Sequence, residues 1–110
     1  MTQKTTEKCV PCSGGVAPLS AQEVAHLLKE CEGWQKVEGL EEIFRRFTFK
    51  GFAKAVEMAN LAAWLGNKMG HHPDVKFGWG YCEVHYTSHE AGGLTENDFF
   101  CAKRLNELLS

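Results

Sequence analysis

Three of the chain's five histidines stand at the two ends of one apparent strand. The stretch opens with Gly70-His71-His72-Pro73, alternates from Val75 to Thr87, and continues through Ser88-His89-Glu90 to Ala91-Gly92-Gly93-Leu94-Thr95-Glu96-Asn97-Asp98. Imidazole, with an unperturbed pKa of about 6.5, gives and takes protons near neutrality. Two or three such rings bracketing one strand suit general acid and base catalysis. Any one of these histidines alone reads as an ordinary surface or strand-end residue; their grouping carries the chemistry.

Local sequence signals position each ring. Gly51 to Met69 has helical spacing in Phe52, Val56, Ala59, Ala63 and Met69, broadened by Trp64 and Leu65. Gly70 is placed as its C′ residue, and Pro73 blocks continuation. His71 therefore lies just past a helix C-terminus, where the peptide dipole favours a positive ring. His72 precedes a proline, which holds its backbone extended. Neighbouring side chains in an extended segment diverge, so His71 and His72 make a poor chelate and no metal is expected there. In the following run Cys82, Val84 and Tyr86 share one parity and should face the helices, with Glu83, His85 and Thr87 opposite. Gly78 and Gly80 interrupt the strand, and Trp79 between them reads as a core residue before it reads as a stacking wall.

The rest of the chain supplies a scaffold. Ser20-Ala21-Gln22-Glu23 is a capping box, with Val24, Leu27, Leu28 and Cys31 on one helical face and Gly33 placed to end the helix. His26 lies off that stripe. Trp34 to Val37 and Ile43 to Phe49 read as strands joined by a tight turn, with Ile43, Arg45, Phe47 and Phe49 forming an aromatic face. Leu94-Thr95-Glu96-Asn97-Asp98-Phe99 starts a last helix: Thr95 caps it, and Asp98 at N3 has a sufficient structural role. Phe99, Ala102, Leu105 and Leu109 then point inward. The expected fold is α+β, a four-stranded antiparallel sheet with three helices packed on one face. An aromatic second face in so small a chain points to an oligomer or a ligand there.

At 110 residues the chain is expected to be one domain, residues 19–110, behind a flexible arm, residues 1–18. The arm carries Cys9-Val10-Pro11-Cys12, without the second pair a zinc finger needs, and fits an arm with two cysteines better than a zinc or redox site. Five cysteines at irregular spacing argue for a reducing, cytoplasmic setting. An organellar setting after removal of a transit peptide stays open. A formal net charge of −2 with no basic block gives nucleic-acid binding no support. No apolar run approaches the roughly 20 residues of a membrane helix.

These residues resemble the pterin-4a-carbinolamine dehydratase family, whose members also serve as dimerisation cofactors of a hepatocyte homeodomain transcription factor. The resemblance covers about Leu19 to Leu109. It rests on His71-His72-Pro73, Trp79, His89 and Asp98 at their spacing, on Arg45-x-Phe47-x-Phe49-Lys50-x-Phe52, and on Gly92-Gly93-Leu94-Thr95-x-x-Asp98. It implies an enzyme that dehydrates 4a-hydroxytetrahydrobiopterin to quinonoid dihydropterin, in tetrahydrobiopterin recycling, as a homodimer or homotetramer without a metal or organic cofactor. It further implies that His71 and His89 are the acid and base pair. His72 positions the pterin, and Pro73, Ser88, Glu90 and Ala91 line the pocket. The alternative it allows is a non-catalytic relative that binds a protein partner, as a coactivator or a Rubisco assembly chaperone. Four residues before His71, where the family usually has an ionisable group, stands Asn67, an amide that orients a neighbour without charging it.

Overall fold

The computed structural model describes residues 17–109, so the Cys9/Cys12 arm lies outside the described residues. Helix α1 (Ala21–Leu28) leads to β1 (Gln35–Lys36), β2 (Ile43–Thr48), α2 (Ala53–Met69), β3 (Asp74–Gly78) and β4 (Tyr81–Tyr86). A 3₁₀ turn (His89–Ala91) and α3 (Glu96–Leu109) complete the described residues. The four strands form one antiparallel sheet in the order β1-β2-β4-β3. The fold is α+β, with three helices and a four-stranded antiparallel sheet, as the sequence predicts.

Helix starts follow the local chemistry. Ser20 accepts from the Glu23 amide while Glu23 reaches back to the Ser20 amide, closing the capping box; such a cap is worth about 1 kcal/mol. The helix closes earlier than the sequence implied, at Leu28. Gly33 still adopts a positive φ of 87°, but in the turn that follows. There the Arg45 side chain packs against it, and a Cβ would stand 2.7 Å from its Nε.

Helix α2 begins at Ala53, leaving Phe52 half-exposed at the N-cap. Its buried stripe is Ala55, Met58, Ala59, Ala62, Leu65, Gly66 and Met69, rotated from the expected one, so Ala63 and Trp64 face outward. Alanines around most of the circumference leave the phase of this helix weakly marked in sequence. Leu109, expected inward on α3, is also exposed.

The alternating run from Val75 to Thr87 is two strands, as the expected four-stranded sheet requires. Gly78 pairs with Tyr81 across a two-residue connection, Trp79-Gly80, with Gly80 at a φ of 85°. Trp79 sits at this tip, 72 % exposed and outside the core. The tip is tied to the chain after β2, the Phe49 amide donating to Gly80 O at 2.9 Å and the Gly80 amide to Gly51 O at 3.0 Å.

Cys82, Val84 and Tyr86 are fully buried against the helices. The aromatic side of β2 shares that interior: Ile43 is fully buried, and Phe47 and Phe49 pack against the core. The opposite face carries Phe44 and Tyr81 among charged side chains, and the aromatic set of β2, expected to be uncovered, lies under the helices instead. Phe44 stacks on His85, Arg46 pairs with Glu83 and covers Tyr81, and His85 meets Glu42. Apolar side chains go under the helices because burial of each large one yields about 1.5–3 kcal/mol.

Candidate active site

Gly70 caps α2 in a left-handed conformation, φ 75°, and its amide donates to Gly66 O at 2.9 Å. The reversal delivers His71, His72 and Pro73 to the start of β3. Since β3 and β4 form a hairpin, the same end of the sheet carries the end of β4, where Tyr86 leads into Thr87, Ser88 and His89. The residues before and after the hairpin are thus neighbours.

His71 is held from two directions. Its Nε2 donates to Asp98 Oδ1 at 2.6 Å. Its ring lies nearly parallel to that of Tyr86, with centroids 5.9 Å apart and planes 10° apart, and Tyr86 rests in turn on Trp34. The hydrogen bond fixes the ring's rotation, and the aromatic face fixes its plane. Asp98 is fully buried. Its second oxygen accepts from Ser88 Oγ at 2.8 Å and from the Thr95 amide at 2.9 Å, and the Ser88 and Thr95 hydroxyls lie 2.9 Å apart. A buried carboxylate needs such donors to stay charged.

The helix-cap role predicted for Asp98 is present, but it is half of the residue's work. The carboxylate beside His71 comes from α3, while Asn67 is exposed on α2. The signal that could have revealed this was a Ser88 and an Asp98 flanking a Gly-Gly turn near the second histidine segment.

Ser88 is buried, and His89 follows it on the 3₁₀ turn. One carboxylate therefore joins the His71 segment through Oδ1 to the His89 segment through Oδ2 and Ser88. His72, His89 and Glu90 are exposed, and Pro73 and Ala91 are half-buried. The side chains of His72 and His89 make no hydrogen bond or ion pair among the described residues, and both residues are exposed.

The remaining titratable groups lie elsewhere. His26 is exposed beside Glu30. On the open sheet face the Glu83 carboxyl is held below its ordinary range, first by the hydrogen bond from His85 and then by Arg46. Burial pushes the Cys31 thiol up to about 11 and raises that of Cys82. A groove of about 410 Å³ between α1, Lys36, Glu41 and Gly92-Gly93 has no histidine in its lining. Among the described residues, no three His, Cys, Asp or Glu side chains gather as a metal site. No helix among them is long and apolar enough to cross a membrane.

The profile of the family described as pterin 4 alpha carbinolamine dehydratase matches residues 17–108. The chain belongs to that family. A relative from Nitrosomonas eutropha, whose name places it among these dehydratases, is 45 % identical over 103 residues, covering 93 % of this chain and 89 % of its own. One from Nitrosomonas europaea is 43 % identical over 105 residues, covering 94 % and 91 %. Among solved structures, a transcriptional coactivator/pterin dehydratase from Brucella melitensis superposes with a TM-score of 0.77 at 33 % identity, over 84 % of this chain and 99 % of that one. A pterin dehydratase-like protein described as a RuBisCO assembly factor in the alpha-carboxysome gives 0.57 at 25 % identity, over 72 % and 92 %. The family thus includes members named for catalysis and members named for work on other proteins.

Proposed function

We propose that this chain dehydrates a 4a-hydroxytetrahydropterin by histidine acid and base catalysis. The observation that carries the reading is the shared carboxylate: Asp98 holds His71 through one oxygen and the residue before His89 through the other. His71, protonated against Asp98, gives its proton to the 4a-oxygen as the carbon–oxygen bond breaks and water leaves. The adjacent ring nitrogen loses its proton to His89, and its electron pair forms the new carbon–nitrogen double bond. His72 and Pro73 on one side, and Ser88, Glu90 and Ala91 on the other, border the bicyclic ring. The reaction balances without an external oxidant, reductant or organic cofactor. Each well-placed imidazole contributes about 10²- to 10⁴-fold, and orientation of the substrate supplies further rate. The setting is cytoplasmic tetrahydrobiopterin recycling, by a homodimer or homotetramer.

Stopped-flow dehydration of a 4a-hydroxytetrahydropterin generated in place tests this against His71→Ala and His89→Ala. Loss of about 10²-fold or more in either folded variant supports the enzyme. No rate above background in the wild type refutes it and favours the second reading, a protein-binding coactivator or Rubisco assembly factor, towards which the two solved relatives' descriptions point.

A further inference from the structure

Helix α2 contains a glycine where helix propensity argues against one. Gly66 is buried in the last turn, at an ordinary helical φ, so no left-handed conformation requires it. Relative to alanine, a glycine inside a helix costs about 1 kcal/mol. The neighbours explain the choice. A Cβ on Gly66 would stand 2.7 Å from Pro73 Cδ, 3.5 Å from His71 O and 3.5 Å from His72 Cα. Pro73 Cδ is bonded to the backbone nitrogen and cannot rotate away, so a Cβ would move main chain. After the reversal at Gly70, three successive residues of the candidate site therefore lie on bare helix backbone.

We propose that Gly66 is a positioning residue for His71 and His72: its missing side chain seats Pro73 on α2 and so sets how far the His71 ring reaches towards Asp98. The other side of the ring is fixed independently, by Asp98 on α3 and Tyr86 on β4. Displacing the 71–73 backbone while those partners stay in place stretches the 2.6 Å bond and tilts the ring off Tyr86. A misplacement of about 1 Å can cost about 10²-fold in rate. Substitution at Gly66 trades a better helix for a poorer site. The catalytic part of this inference rests on the proposed dehydration; the seating itself does not.

The test is a cycle of Gly66→Ala, Pro73→Ala and the double variant in the full chain, with melting temperature, kcat and KM, and the NMR signals of the 71–74 amides and the His71 ring. Gly66→Ala is expected to lower kcat about tenfold, to move the 71–74 and His71 signals, and to lose less activity in the Pro73→Ala background, where the clash is relieved. Wild-type kcat in Gly66→Ala overturns the inference, as does a loss that Pro73→Ala leaves undiminished. If the wild type shows no dehydration, the proposed reaction fails, and the NMR signals decide the seating alone: unchanged 71–74 and His71 signals in Gly66→Ala overturn it. If Gly66→Ala does not fold, a folded double variant supports the contact and an unfolded one refutes it.

Discussion

The Nε2 atom of His71 lies 2.6 Å from Oδ1 of Asp98, a residue that also accepts from the amide of Thr95 where α3 begins. One carboxylate therefore serves a helix cap and an imidazole. Asp98→Asn is expected to lower kcat about 10²-fold with little change in KM, since an amide cannot stabilise the imidazolium as a carboxylate does. Asp98→Ala, which strips the His71 ring, the Ser88 hydroxyl and the Thr95 amide of their buried acceptor, is expected to lose about 1–3 kcal/mol for each group left without a partner in denaturant titration as well. A kcat near wild type in folded Asp98→Asn would detach the carboxylate from the chemistry.

Tyr86 offers a second handle on the same ring. Tyr86→Phe keeps the aromatic face and is expected to retain most activity. Tyr86→Leu removes it. Aromatic stacking is worth about 0.5–1.5 kcal/mol, so kcat should fall about two- to tenfold in the leucine variant. Equal rates for Phe and Leu would show that the face under His71 is inert.

On the uncovered side of the sheet, acid titration isolates Glu83. Its carboxyl is held below the ordinary value of 4.5 by His85 and Arg46. The folded protein thus binds this proton less readily than the unfolded chain. The stabilisation is fully present above the ordinary value and disappears as the pH falls through the lowered one. Glu83→Gln should therefore be less stable than wild type by up to about 1 kcal/mol at neutral pH, with a gap that closes in strong acid. A pH-independent gap would assign the effect to packing.

Cys31 should be chemically silent in the folded state. Its thiol, raised to about 11, and the raised thiol of Cys82 are almost entirely protonated near pH 8, and both are buried. Thiolate is the reactive form. Iodoacetamide followed by peptide mass spectrometry is expected to leave both unmodified until denaturant is added. Rapid native labelling of Cys31 would contradict its burial.

What the sequence made legible was local. The capping box at Ser20 and Glu23, the left-handed stop at Gly70, the alternating burial of Cys82, Val84 and Tyr86, and the α+β class each depend on residues close together in the chain. The hairpin was harder to see, because Trp79-Gly80 is an uncommon turn pair and alternation continues through it. A signal was present nonetheless: the apolar positions change from odd at Val75 and Phe77 to even at Cys82 and Val84, as a two-residue turn demands. Asp98 as partner of His71 was obscured by its adequate local explanation, since the contact spans 27 positions. The aromatic residues of β2 were legible as one face, but which side the helices would cover is settled only by the packing of α2 and α3.

The hairpin also works as a ruler. Its two arms run from the imidazoles to the tip and back, and the pairing of Asp74 with His85 near its open end fixes how much chain each arm spends on the journey. Changing the identity of Trp79 at the far end leaves that count intact. Removing one residue from a single arm would turn every later side chain of that arm over and draw Ser88 away from the carboxylate it shares with His71. The site is thus tolerant of substitution at the distant tip and intolerant of a change in length there.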